Sequence, residues 1–267
     1  MNQTSTRPLA VVTGASSGIG LELASEFARH GFDLLITAED QGLSKASARL
    51  REIGGQVKEF QVDLAKYDGV EALYREIQSM GRPVDAIALN AGVGAGGDFA
   101  RSTDLKDELN LIDLNVRSTV HLAKRVVKDM VARGQGRILF TSSIASAMPG
   151  TFNAVYNASK AFVQSFAQAI RNELKDTGVT ITALMPGPTE TNFFKRADME
   201  DTKVGAAEKD DPAEVAKEGF EALMAGKDHV IAGSFMNKVQ ATMAHVLPDP
   251  LTAELHRKQA EPGSAHK

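Results

Sequence analysis

A doubly wound α/β fold, with a parallel sheet between two layers of helices, is predicted by three observations. Short apolar runs alternate with amphipathic stretches along most of the chain. A glycine-rich turn joins the first apolar run to the first amphipathic stretch. The 267 residues are 43% hydrophobic and 24% charged, which suits one large core burying roughly 75% of the unfolded surface. The alternation implies right-handed βαβ crossovers, three α/β/α layers and about seven strands.

The elements follow in order. Residues 9–13 read as a short buried strand. Residues 19–30 read as a helix with Ile19, Leu23 and Phe27 on one face, stopped by Gly31. Further strands are expected at 34–38, 57–62, 86–90, 138–142 and 179–185. Helical patterns lie between them at 43–53, 70–80, 105–133 and 153–177. A helix at 212–225 and a strand at 230–232 complete the series. Residues 93–99 are glycine-rich and irregular. Residues 192–211 are charged and weakly periodic, either a solvated loop or a lid over a site. The run 234–247 reads as an interface or a cover over the core, and the polar tail 254–267 is expected to fray. No linker or repeat divides the chain, so 1–267 reads as one domain, with a lid at about 188–212 and a C-terminal extension at about 234–267.

Net charge is −4 and the pI about 5.9, with no basic stripe, which argues against a nucleic-acid partner. The absence of cysteine excludes disulfides, a thiol nucleophile and thiolate metal sites. The six histidines form no H-E-x-x-H pattern, and His121 and His245 read as packed or solvated. No metal site is expected. Residues 1–8 are short and polar, unlike a signal peptide, and no apolar run reaches the length of a membrane span. A cytoplasmic protein is expected.

Tyr156 and Lys160 stand four residues apart, hence on one helical face, with Ser142 and Ser143 upstream. A free tyrosine has a pKa of about 10, too high for a general base at neutral pH. An ammonium at roughly 4 Å and an effective dielectric of about 20 favours the phenolate by up to ~4 kcal/mol. Alone, the pair reads as readily as an incidental Tyr and Lys on an exposed helix. The turn Thr13-Gly14-Ala15-Ser16-Ser17-Gly18-Ile19-Gly20 supplies context. Gly14 permits a tight turn, Gly18 admits a pyrophosphate to the backbone, and Gly20 allows close helix–strand packing. The helix N-terminus then offers free N–H groups to phosphate.

On these residues the chain resembles the short-chain dehydrogenase/reductase family, in its single-domain branch with the Rossmann fold. The match runs from about Leu9 to Ala232 and adds Asn90-Ala91-Gly92, Asn115, Pro186-Gly187 and Thr191. The resemblance implies an NAD(P)-dependent oxidoreductase moving a hydride between nicotinamide and a secondary alcohol or ketone. Tyr156 would be the general acid/base, and Lys160 would lower its pKa and bind the nicotinamide ribose. The family's serine lies thirteen residues before the tyrosine, which selects Ser143; Ser142 and Ser146 are then satisfied by local backbone. Asn115, a poor helix former in mid-helix, would perturb the helix and position a relay water. Gly14, Ser16, Ser17, Gly18, Ile19 and Gly20 would bind the cofactor. So would Asp63 and Leu64 at the adenine, Asn90, Ala91 and Gly92 beside the ribose, and Pro186, Gly187, Thr189 and Thr191 at the carboxamide. Asp63 reads equally as a helix N-cap.

Glu39 stands where many NADP-using relatives place arginine, and Ser17 where they often place Lys or Arg; both favour NAD. NADP stays open, because NAD users carry their acid one residue earlier, at Ala38 here, and Lys45 is within reach of a 2′-phosphate. Met148, Phe152, Asn153, Phe193, Phe194 and Met199 are candidate substrate-pocket residues. The resemblance also implies a homodimer or homotetramer paired through 105–133 and 153–177. Two other readings are a non-catalytic dinucleotide-binding regulator and an epimerase or dehydratase of the longer branch.

Overall fold

The computed structural model describes residues 7–266; residues 1–6, most of the polar N-terminal segment, and Lys267 lie outside the described residues, as does the side chain of His245. Seven strands form one parallel sheet: β1 (Leu9–Thr13), β2 (Asp33–Ala38), β3 (Val57–Gln61), β4 (Ala86–Leu89), β5 (Gly136–Thr141), β6 (Val179–Pro186) and β7 (His229–Ala232). Their order is β3-β2-β1-β4-β5-β6-β7. The chain winds outward from β1 in one direction and from β4 in the other. That reversal opens a crevice at the C-terminal ends of β1 and β4, where doubly wound sheets bind ligands.

Helices α1 (Gly18–Arg29), α2 (Gly42–Ile53), α3 (Tyr67–Ser79), α4 (Leu105–Ile112), α5 (Thr119–Arg133) and α6 (Ala154–Glu173) come first. Short α7 (Phe193–Arg196) and α8 (Lys203–Ala206) follow, then α9 (Pro212–Met224), α10 (Phe235–Val246) and α11 (Asp249–Ala260). Alternation along β1 shows why both faces must be covered. Ala10 and Val12 pack with Leu23 and Phe27 of α1 and Phe220 of α9. Leu9 and Val11 join Leu73 of α3, Leu122 and Val126 of α5 and Val163 of α6. Phe27 meets Phe32 and Phe220 edge-on, with centroids 5.1 and 5.2 Å away; truncating so buried a ring costs about 3–5 kcal/mol.

Three expectations are corrected. The helix expected over 105–133 is interrupted by a π-helical turn at Asp113–Ser118, which contains Asn115. There Ser118 and Thr119 hydroxyls donate back to the Leu114 and Asn115 carbonyls. The stretch 192–211 is not merely solvated: it forms α7 and α8 and buries Phe194, Ala197, Met199 and Thr202. The tail does not fray. Pro250 in the first turn starts α11, which buries Thr252 and Ala260, and Ser264 is buried in the 3₁₀ turn that follows. Among the described residues no helix is long and apolar enough to cross a membrane.

Candidate active site

One cavity of about 780 Å³ runs from the β1–α1 turn, past the ends of β4, β5 and β6, to α10 and α11. It is lined by Gly14, Ser16, Ser17, Gly18, Ile19, Gly20, Glu39, Leu64, Asn90, Ala91, Gly92, Pro186, Gly187, Thr189 and Thr191. Ser143, Tyr156 and Lys160 line it too. Asp63 does not: its carboxylate accepts from the Ala65 N–H at 2.9 Å and pairs with Lys66 at 3.2 Å. Nor is Asp63 the helix N-cap, which is Lys66. Asn115 stands behind the wall, bonded to Val93.

The residues at the β1–α1 turn fit a dinucleotide pyrophosphate. A Cβ on Gly20 would lie 2.1 Å from the Gly14 carbonyl oxygen and 2.5 Å from Asn90 Nδ2, so helix and strand approach as only glycine permits. Gly18 has φ +56°, and a Cβ there would meet Thr191 Cγ2 at 2.9 Å. The first turn of α1 carries no acid, and Ser17 makes no side-chain cap bond, so its N–H groups remain open to an anion. Asn90 braces the crevice, its amide donating to the Thr13 carbonyl at 3.1 Å and its Oδ1 accepting from Thr141 at 3.0 Å. Beyond β2, Asp40 accepts from Ser16 Oγ at 2.7 Å, tying β2 to the turn, while Glu39 is exposed at the cavity edge. Among the described residues the lysines and arginines lining the cavity are Lys160, Arg196 and Lys258; Lys45 is exposed and does not line it.

The first turns of α6 bring Tyr156 and Lys160 to one face, Lys160 buried and Tyr156 partly buried. Lys160 Nζ donates to the Thr141 carbonyl at 2.9 Å and lies 5.7 Å from the Tyr156 ring centroid. The sequence expects Lys160 to lower the tyrosine pKa; in the folded chain the main influence on the phenol is desolvation, which acts the other way. Burial pushes the Tyr156 phenol up to about 12, opposed by a hydrogen bond with Ser143. Burial likewise pulls the Lys160 ammonium down to about 8. Ser143 caps a 3₁₀ turn, Ile144–Ala147, accepting from the Ala145 N–H at 3.1 Å. Ser146 is satisfied locally by the Ser143 carbonyl, as expected. Ser142 instead reaches the Lys160 carbonyl at 3.0 Å, pinning α6 to the end of β5.

Asn115 holds both the N–H and the carbonyl of Val93, each at 2.9 Å, and donates to Ser159 Oγ at 3.1 Å. A Cβ built on Gly92 would sit 3.1 Å from Asn115 Oδ1 and 3.4 Å from Lys160 Nζ, so the two converge on that glycine. Of the expected substrate-pocket residues, Met148, Asn153, Phe193, Phe194 and Met199 line the cavity and Phe152 does not. Phe193 packs on Tyr156 with centroids 5.0 Å apart. Sequence reasoning missed Thr252, Leu255, His256 and Gln259, which also line the cavity. Their spacing of three and four residues was a readable signal for one helical face.

A parallel sheet with a glycine-lined anion site at its switch point, ending at a Tyr–Ser–Lys cluster, defines a nicotinamide-dependent oxidoreductase. The chain belongs to the short-chain dehydrogenase family, whose model matches residues 8–202. It is similar to sulfoacetaldehyde reductase 2 of Chromohalobacter salexigens, 32% identical over 187 residues that cover 69% of this chain and 74% of that protein. An uncharacterized oxidoreductase of Myxococcus xanthus is 31% identical over 250 residues, covering 91% of this chain and 93% of the relative. Among solved structures, a short-chain dehydrogenase from Sphingobium yanoikuyae in complex with NADPH matches with a TM-score of 0.78 and 31% identity, covering 84% and 87% of the two chains.

Proposed function

We propose that this oxidoreductase interconverts an apolar ketone and its secondary alcohol, with Tyr156 as the general acid/base. The observation that carries the reading is the partly buried phenol, hydrogen-bonded to Ser143, one helical turn from Lys160 and at the end of the glycine-lined crevice. Bound nicotinamide supplies or takes up the hydride. The chain does the rest. In the reducing direction Tyr156 Oη gives its proton to the substrate oxygen, and Ser143 Oγ donates to the same oxygen, stabilising its developing charge. At neutral pH the phenol is protonated and so has the proton to give. Lys160 holds the nicotinamide ribose, and Asn115 fixes the backbone at Val93 beside it. Phe193, Phe194 and Met199, in a lid at about 188–212, keep water from the reacting oxygen. Loss of nicotinamide absorbance with a panel of ketones tests this. Turnover undiminished in Tyr156→Phe overturns the mechanism.

NAD is the proposed cofactor. Glu39 and Asp40 carry carboxylates at the proposed ribose end, and among the described residues no lysine or arginine lines the cavity there. The NADPH complex of the Sphingobium relative makes the comparison worth measuring. NADH and NADPH titrations of wild type and Glu39→Arg decide it, and tighter NADPH binding by wild type refutes NAD.

The proposed enzyme is a single cytoplasmic domain that pairs as a homo-oligomer, because α4 and α6 expose Leu105, Leu109, Ile112 and Phe162 to solvent. Light scattering of wild type and Leu109→Arg tests this: an oligomer becoming a monomer supports it.

A further inference from the structure

We propose that α11 is the outer wall of the substrate chamber, with Leu255 limiting substrate length and His256 acting as the positioning residue that latches this wall to the turn before Tyr156. The wall role rests on the ketone reductase reading; the latch does not. The matched family region ends at residue 202, so α11 lies beyond it.

Three independent sets of contacts carry the inference. Thr252, Leu255, His256 and Gln259 present one face of α11 to the cavity that holds Tyr156. At the turn, the His256 ring shares a hydrogen bond with the Thr151 carbonyl at 2.9 Å, and Thr151 Oγ1 donates to the Ala253 carbonyl at 2.9 Å. A carbonyl only accepts, so Nδ1 carries the imidazole proton. Arg257 lies 4.9 Å from the Phe152 ring centroid. The far end of the tail grips the lid instead. Ala260 packs with Phe194, Ala197 and Met199. The Gly263 and Ala265 N–H groups donate to Asp201, and Ser264 Oγ accepts from the Lys203 N–H at 2.9 Å.

The turn is worth gripping. Phe152 sits at φ +64°, a left-handed conformation that a bulky residue adopts only under constraint. The next residue, Asn153, precedes α6, and its amide lies 2.8 Å from Met199 Sδ of the lid. One helix therefore ties together the two segments that flank Tyr156. Withdrawing α11 removes a wall, frees a strained turn and releases the lid at once.

Two measurements on the full chain test the two parts. Hydrogen exchange is compared for wild type, His256→Leu and His256→Gln, in which the amide of Gln still donates to Thr151. The expected result is faster exchange at 97, 153 and 203–206 in His256→Leu, unchanged exchange in β1 and β4–β6, and recovery in His256→Gln. Unchanged exchange in His256→Leu overturns the latch. Methyl ketones of increasing chain length are then assayed with Leu255→Ala and Leu255→Trp. Leu255→Ala is expected to raise kcat/KM for long over short ketones about tenfold, through KM, and Leu255→Trp to lower it. A length preference unmoved in both variants, with NADH bound normally, overturns the wall. If no ketone is turned over while His256→Leu shows the exchange effect, the ketone reading and the wall built on it fall, and the latch stands.

Discussion

The two ends of the cavity are built by different means. The proposed cofactor end is made of backbone at close approach, Gly14, Gly18 and Gly20 against Asn90 and Thr191, with Asp40 locking Ser16 through a part-buried bond. The proposed substrate end is made of side chains from segments far apart in sequence: Met148 and Asn153 before α6, Phe193, Phe194 and Met199, and Leu255 and His256 in α11. A backbone site tolerates almost no change, because an added Cβ meets atoms that cannot move. A side-chain site changes its selectivity with a single substitution. One fold thereby keeps its cofactor while its substrates vary.

The sharpest way to break this contrast lies where the two ends meet. Tyr156→Phe removes the transferable proton and keeps the ring on Phe193; kcat is expected to fall about 10²–10⁴-fold while NADH binding persists. Nicotinamide absorbance and a NADH titration check the two halves of that statement. Next is Gly20→Val, which forces α1 off β1. Loss of NADH binding together with a lower urea midpoint is expected, by about 2 kcal/mol or more. An unchanged NADH Kd shows that the turn is not the tight cradle described above. Glu39→Arg is the smaller test at the same end, with the NADPH to NADH affinity ratio expected to rise about tenfold.

The remaining test is the pH dependence of stability. Lys160 falls from 10.5 to about 8 on folding, so the unfolded chain binds the additional proton between those values. Its contribution to stability therefore rises with pH from about 8 to 10.5. Tyr156 moves oppositely, from 10.0 to about 12, and its contribution is lost as pH rises through that higher window. In the cofactor-free enzyme, Lys160→Met should flatten the rise. Urea midpoints at about pH 7 and about pH 9.5 provide the readout. A slope identical to wild type shows that Lys160 is solvated in solution.

Local rules read much of the molecule correctly. Gly31 at φ +83° ends α1, Pro212 opens α9 with Asp211 as its cap, and the alternation along β1 appears as two packed faces. Asn115 was legible as a poor helix former, and its π-turn bears that out. The tail was misjudged because its composition is polar. Its burial depends on Phe194 and Met199, about 60 residues earlier, a pairing no local window contains. Asp63 is not the cap of α3 for a local reason: its carboxylate turns to the Ala65 N–H and Lys66.

By itself, the sequence determined the parallel sheet, the glycine turn and the Tyr156–Lys160 spacing, because periodicity and φ preferences act within a few residues. The tertiary structure alone decided which titrating groups are desolvated and which segments line the cavity. Desolvation raises Tyr156 and lowers Lys160 through atoms brought from β5, the lid and α6 together. The face that α11 presents to the cavity exists only once the helix has folded back across the lid and the turn at Thr151, where Thr252 and Ala260 become buried.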